Sequence, residues 1–275
     1  MSKPHPLTRR SALTFLGAAG TSLLVACSEG GRTDTVSNEP AGETVGSTAI
    51  GTAGSTVTGA AATVDSPTPT PSETGGPFPS DGSNDDGAGG LADVLHDSRA
   101  LRRDIRSDLD GSNTQEGLPL TLRTRVVSKS TPLAGAAVYV WHCNRDGAYS
   151  DYNSRMLDAD YSDRSFLRGV QITDSDGWVE FQTILPGRYM GRAFHIHFEV
   201  FGDVNYSSKL LTSQMAMDDD LIDSIYSQAA GYETALRSDT NNAQDNIFSD
   251  GVSHQLLTVT GDATSALIAE FIAVV

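Results

Sequence analysis

Two histidines alternate with apolar residues in Phe194-His195-Ile196-His197-Phe198, and that alternation is the strongest constraint the chain carries. In a β-strand successive side chains point to opposite faces. The pattern predicts a strand that puts His195, His197 and Glu199 on one face and Ile196, Phe198 and Val200 on the other. One face must be buried in a core. The other presents two imidazoles that can reach the same point in space.

The flanking sequence extends this period. Leu120–Val126, Ala137–His142 and Trp178–Phe181 alternate in the same way. Leu256–Val259 and Ala266–Phe271 read as two last strands around Thr260-Gly261-Asp262. Turn signals separate them, at Thr131-Pro132-Leu133-Ala134-Gly135 and Asp174-Ser175-Asp176-Gly177. Short strands punctuated in this manner predict a mainly β fold, a two-sheet antiparallel β-sandwich with few short helices. One helix is expected where Asp218, Asp219 and Asp220 precede Leu221, Ile222 and Ile225.

The first third of the chain cannot build such a core. From Ser28 to about Asp93 it is Ser, Thr, Gly, Ala, Pro and Asp with few large apolar residues, the composition of a tether. Within it, Glu73–Pro79 carries an aromatic and could dock onto the domain. The expected organisation is a signal segment over 1–27, a disordered low-complexity linker over 28–72 and a β-sandwich domain over 73–275. The signal has a twin-arginine pair, Arg9-Arg10, before an apolar run from Ala12 to Ala26 that is too short and too rich in Gly, Ala and Ser for a membrane span. Leu24-Val25-Ala26-Cys27 resembles a lipobox. The expectation is export, with Cys27 lipidated as the only tie to a membrane; an ordinary cleaved signal is the alternative. Without residues 1–26 the chain has 16 basic and 35 acidic residues, a charge of −19. That disfavours nucleic acid, which needs clustered cations. With only Cys27 and Cys143 in the chain, neither in a C-x-x-C pair, structural zinc is disfavoured.

Tyr189 lies six residues before His195, and Tyr149 follows the turn Asp146-Gly147-Ala148. Imidazole suits several transition metals, whereas phenolate is a hard anionic donor. Two histidines and two tyrosines together favour a ferric ion over zinc or copper. Taken singly, each residue has an ordinary structural use: the tyrosines as turn residues at a sandwich edge, the histidines as strand polar residues.

The motifs around these four side chains resemble the intradiol ring-cleavage dioxygenases. Trp141–Ser150, Phe166-Leu167-Arg168-Gly169, Thr173-Asp174, Leu185-Pro186-Gly187-Arg188-Tyr189 and Gly191–His197 occur in the expected order, and the resemblance runs from about Glu73 through Gln214. It is closest to a small, exported, lipoprotein-like branch, since the larger cytoplasmic catechol and hydroxyquinol enzymes carry a longer segment between the second tyrosine and the histidines. The resemblance implies that Tyr149, Tyr189, His195 and His197 ligate non-haem Fe(III), with O₂ as co-substrate. It implies that Arg192 stabilises negative charge on the substrate ring and that Gln214 lies near the same pocket. It further implies a small aromatic diol as substrate, with Tyr189 accepting a proton, and a cis,cis-muconate-type product containing both atoms of O₂. His142, although next to a motif, is expected to be structural. Where the family reads Gly-Pro-Tyr-Tyr or Gly-Pro-Phe-Tyr, this chain has Gly76-Pro77-Phe78-Pro79, so substrate preference is expected to differ.

Two further readings stay open on the sequence: a non-catalytic β-sandwich that binds catecholate ligands, and a zinc hydrolase, which the phenolates disfavour. A homo-oligomer is compatible with all three.

Overall fold

The computed structural model describes residues 68–275, apart from 157, 158 and 190. The signal segment, Cys27 and nearly all of the 28–72 linker lie outside the described residues.

Two larger sheets form the sandwich, beside two small two-stranded ones. One has the order β6-β5-β2-β3, built from β2 (Ala137–Trp141), β3 (Arg168–Ile172), β5 (Ile196–Phe201) and β6 (Lys209–Met215). The other joins β1 (Pro119–Ser128), β4 (Trp178–Ile184), β7 (Thr258–Asp262) and β8 (Ala266–Val274), with the two-residue strand Thr131–Pro132 at the end of β1. The sandwich expected from the period-two runs is present. It departs from a purely antiparallel arrangement in one pairing: β8 runs parallel to β1 from Leu267↔Leu120 to Val274↔Val127. Hydrophobic alternation fixes which face a strand buries and leaves the direction of its neighbour open.

Between the sheets lies the main core, with Leu120, Leu122, Val138, Val140, Phe181, Ile196, Phe198 and Val200 among its buried members. The apolar face predicted for the histidine strand is part of it. The opposite face of the first sheet is also covered. Tyr139 and Trp141 of β2 pack there with Phe78, Ala92, Val94, Leu95, Tyr149 and Tyr152. The polar side chains of His197 and Glu199 on that face are thereby buried.

Part of the cover, Phe78 and Ala92, comes from the stretch whose composition reads as tether. Asp81–Asp85 and Leu91–Asp93 pair as a hairpin, although Ser83–Gly87 has nothing to bury. Local acceptors shape it: the Asp86 carboxylate takes Ala88 N–H at 2.7 Å and Gly90 N–H at 2.9 Å, and Asp85 takes Gly87 N–H at 2.7 Å. Short polar side chains that bond their own backbone make a turn where composition alone suggests disorder. Further upstream, Thr70 N–H donates to Val274 O at 3.1 Å and Glu73 N–H to Thr212 O at 2.9 Å.

The helix appears as expected. α1 (Asp219–Gln228) is capped by Asp218, whose side chain accepts Leu221 N–H, and it buries Ile222, Ile225 and Tyr226. No helix among the described residues is long and apolar enough to cross a membrane.

Candidate metal centre

Two loops present the tyrosines, and one asparagine organises both. The Asn144 side chain accepts Asp146 N–H at 3.1 Å and Ala148 N–H at 2.9 Å, while its carbonyl accepts Gly187 N–H at 3.0 Å. The loops pack through glycine. A Cβ on Gly147 would lie 3.0 Å from Tyr189 Cβ, and one on Gly187 would collide with the Arg145 carbonyl. Tyr189 is fixed from behind as well. Tyr226 of α1 donates to Pro186 O at 2.8 Å, and Arg188 donates to Asp223 and to Ala235 O at 2.6 and 2.9 Å.

The histidines come from the first sheet. His197 sits in β5 opposite Trp141 of β2 and Gln214 of β6. His195 precedes the first residue of the strand, one position outside the predicted run. Ala193 N–H is held by Asp245 at 2.9 Å, so the chain there follows a side-chain acceptor in place of a ladder partner. His195 Nδ1–H donates to Ala193 O at 2.8 Å, which leaves Nε2 with its lone pair free.

Three groups converge on that nitrogen. Tyr149 Oη is 3.0 Å from His195 Nε2, Tyr189 Oη 3.4 Å and Arg192 Nη1 3.3 Å. The His197 ring stands edge-to-face to His195, centroids 4.9 Å apart. One lone pair serves one donor; two phenols aimed at it beside the guanidinium suit ligands that share a cation. The sequence-predicted residues are thus brought together, and Gln214 with them: its Oε1 accepts from Arg192 Nη2 at 2.5 Å, and its Nε2 donates to Thr74 O at 2.8 Å.

Burial sets the protonation states. It pushes His195 and His197 well below the ordinary imidazole range, with Arg192 adding to the effect, so both are neutral. Burial also raises Tyr149 well above the ordinary phenol value and raises Tyr189 less sharply, against the pull of Arg192. Desolvation works against the Arg192 charge, but Tyr189, Asp245 and Tyr149 outweigh it. Neutral imidazoles are metal ligands in waiting, and a buried phenol ionises when a multivalent cation supplies the charge. No group of three or more His, Cys, Asp or Glu among the described residues could hold a metal, so an ion here must draw on the phenols. The donor set fits ferric iron.

Other residues of the site were not legible in the sequence. Asp245, fully buried, holds Arg192 Nε through both oxygens at 3.0 and 2.8 Å. Trp141 stacks on His197, and Phe78 on Tyr149 with centroids 5.0 Å apart. A Cβ on Gly76 would lie 3.2 Å from His197 Cε1, so Glu73–Pro79 docks as expected and walls the pocket. His142 is structural: Nδ1–H donates to Cys143 O and Nε2 accepts from Thr183, both at 2.7 Å.

The fold is a β-sandwich carrying a buried cluster of two tyrosines and two histidines, and comparison with known proteins gives its family. Residues 96–257 match the C-terminal dioxygenase family model, described as dioxygenase. Catechol 1,2-dioxygenase 1 of Acinetobacter lwoffii is 30% identical over 145 residues, covering 46% of this chain and 44% of that protein. Chlorocatechol 1,2-dioxygenase of Rhodococcus opacus is 30% identical over 95 residues, covering 28% and 35%. The matched segments therefore span less than half the length of these curated relatives. The solved structure of an intradiol ring-cleavage dioxygenase from Tetranychus urticae superposes with a TM-score of 0.58 at 21% identity, covering 75% of this chain and 94% of that one. That likeness is one of fold. The chain belongs to the intradiol ring-cleavage dioxygenase family.

Proposed function

We propose that the protein is a non-haem Fe(III)-dependent intradiol dioxygenase that opens a catechol-type aromatic diol with both atoms of O₂ to give a cis,cis-muconate-type acid. Supporting this is the convergence of Tyr149, Tyr189 and Arg192 on His195 Nε2. Family membership and the similarity to catechol and chlorocatechol 1,2-dioxygenases support the same substrate class.

Tyr149, Tyr189, His195 and His197 are the proposed ligands. Ferric iron held by them supplies Lewis acidity toward the diol oxygens and readies the ring for O₂. The protein's part is positional and electrostatic. Arg192 Nη1 faces the ligand cluster and gives preorganised positive charge to a substrate that becomes more anionic during the reaction. Tyr189 Oη accepts a diol proton. Half-buried, its ring has an open side that the fully buried Tyr149 lacks. Gly76, Phe78 and Trp141 exclude water. By the sequence features at Arg9-Arg10 and Leu24–Cys27, the enzyme is exported and lipid-anchored, and a fatty-acylated N-terminal peptide from the native host is the expected product.

The direct test is reaction of the iron-loaded protein with catechol under ¹⁸O₂. The expected product is muconate with ¹⁸O in both new carboxyl positions. Catechol that binds and survives intact would replace this reading with that of a catecholate-binding module.

A further inference from the structure

Arg192 has three guanidinium nitrogens in a half-enclosed setting, with its side chain 11% exposed. Two are already engaged. Nε lies between both oxygens of Asp245, at 3.0 and 2.8 Å, and Nη2 donates to Gln214 Oε1 at 2.5 Å. Only Nη1 is turned to the ligand cluster, 3.3 Å from His195 Nε2. The arginine is an aimed fork rather than a loose cation.

Asp245 does most of the aiming. It lies 53 residues downstream, on the loop after α1, with its side chain fully buried. Its carboxylate cannot swing, because two backbone donors pin it: Ala193 N–H on Oδ2 at 2.9 Å and Ile247 N–H on Oδ1 at 3.0 Å. Its own N–H donates to Asn241 O at 3.0 Å. Phe248, three residues on, lies with its ring 5.9 Å from the Arg192 guanidinium carbon. A negative charge here lies next to the cation that would face an anionic substrate. Its effect is to offset the desolvation of the guanidinium and fix its rotamer, so that no reorganisation is needed when charge develops on the substrate.

We infer that Asp245 is a positioning residue for the ring-cleavage reaction, acting through Arg192. The inference rests on the dioxygenase reading above. An asparagine at 245 offers one oxygen to donors that now share two, and presents an NH₂ group to at least one N–H. It also removes the counter-charge. Arg192 would then leave its aimed rotamer although it is itself unchanged.

The test is a double-mutant cycle of Asp245→Asn and Arg192→Leu, with rates expressed per bound iron. This normalisation removes any effect of Asp245 on metal content through Ala193 and His195. Asp245→Asn is expected to lower kcat by about 10- to 100-fold, the usual cost of losing such a supporting contact, with a smaller change in KM. In the Arg192→Leu background the same substitution should change kcat by less than about threefold, since its target is gone. Equal losses in the two backgrounds would overturn the inference, as would a wild-type kcat in Asp245→Asn. Should Asp245→Asn fail to fold, Asp245→Glu keeps the charge but pushes the guanidinium out of line; unchanged kcat there overturns the inference as well. Binding of 4-nitrocatechol to the iron-loaded proteins, followed by its absorbance, reads the same cycle without turnover. If the wild type cleaves no catechol, the functional reading fails, yet weaker 4-nitrocatechol binding in Asp245→Asn only when Arg192 is present would still carry the positioning role.

Discussion

Trp141 and His197 lie face to face, ring centroids 4.9 Å apart and planes within 6°, and Tyr139 stacks on Trp141 with centroids 4.9 Å apart. Register places them so: His197 pairs with Trp141 across β5 and β2, and both side chains rise on the outer face of the sheet. The indole is fully buried and acts as a rigid plate against which the imidazole is held. Trp141→Ala should cost about 3–5 kcal/mol of stability, as for other buried aromatic truncations. It should lower iron affinity too. Trp141→Phe should keep a stacked ring and lose much less of both. Denaturant melts and metal titration of the two variants check this, and equal iron affinity in Trp141→Ala would separate the stack from the metal centre.

The contact between the two tyrosine loops gives a second expectation. Gly187 has no room for a Cβ, because the Arg145 backbone occupies that place. Gly187→Ala must push the loops apart, at about 1–3 kcal/mol for overpacking, and move Tyr149 and Tyr189 relative to each other. Gly135 is the control: it has φ +76° and nothing within 4 Å of its Cβ position. Gly135→Ala should cost about 1–2 kcal/mol in left-handed strain and leave iron binding at the wild-type level. Similar iron affinity in the two variants would refute the loop argument.

Acid sensitivity follows from His142. Burial lowers its pKa to about 4 from 6.5. The folded imidazole refuses a proton that the unfolded chain accepts, so its contribution is complete above pH 6.5 and is lost as pH falls toward 4. At pH 5 the loss is about 2 kcal/mol by linkage. His195 and His197 act in the same direction in the metal-free protein, so the comparison must be with His142→Gln. Between pH 7.5 and 5 the variant should lose about 2 kcal/mol less unfolding free energy than wild type. Parallel pH profiles would show that His142 takes up a proton without unfolding.

Much of this site could be read from residue order because strand geometry is local. Period two put His197 and Glu199 on one face and Ile196 and Phe198 in the core, and the Asp218 cap announced α1. What escaped was set by distant partners. Asp245 reaches Arg192 across 53 residues, and no spacing rule connects a carboxylate in an irregular loop to a cation upstream. The parallel pairing of β8 with β1 joins segments more than a hundred residues apart. His195 lies just before the strand, two residues after an Ala193 N–H that the Asp245 side chain accepts. The hairpin at Asp81–Asp93 eluded a reading from composition, since its turn is made by aspartates that bond to their own backbone.

The two tyrosines should differ as ligands. Tyr149 is fully buried, with Phe78 stacked on its ring, Arg168 6.0 Å from its centroid and Ser150 beside it fixed by Arg168 at 2.9 Å. Tyr189 is only half-buried. A ligand enclosed on every side is expected to hold its metal throughout; one whose ring is partly open to solvent is expected to exchange. Tyr149→Phe should lose iron, at least about tenfold in affinity, because phenylalanine offers no oxygen there. Tyr189→Phe should retain iron and its 4-nitrocatechol complex, since the diol supplies oxygen ligands itself, but lose kcat through want of a proton acceptor at Oη. Both phenols should contribute tyrosinate-to-iron absorbance in the visible, and addition of catechol should remove the Tyr189 part alone. For the loaded wild type, iron present at about 1,000 times its dissociation constant should add about 4 kcal/mol of stability over the metal-free protein, and Tyr149→Phe should forfeit more of that increment than Tyr189→Phe. The reverse order, in iron affinity or in stability, would exchange the roles of the two residues.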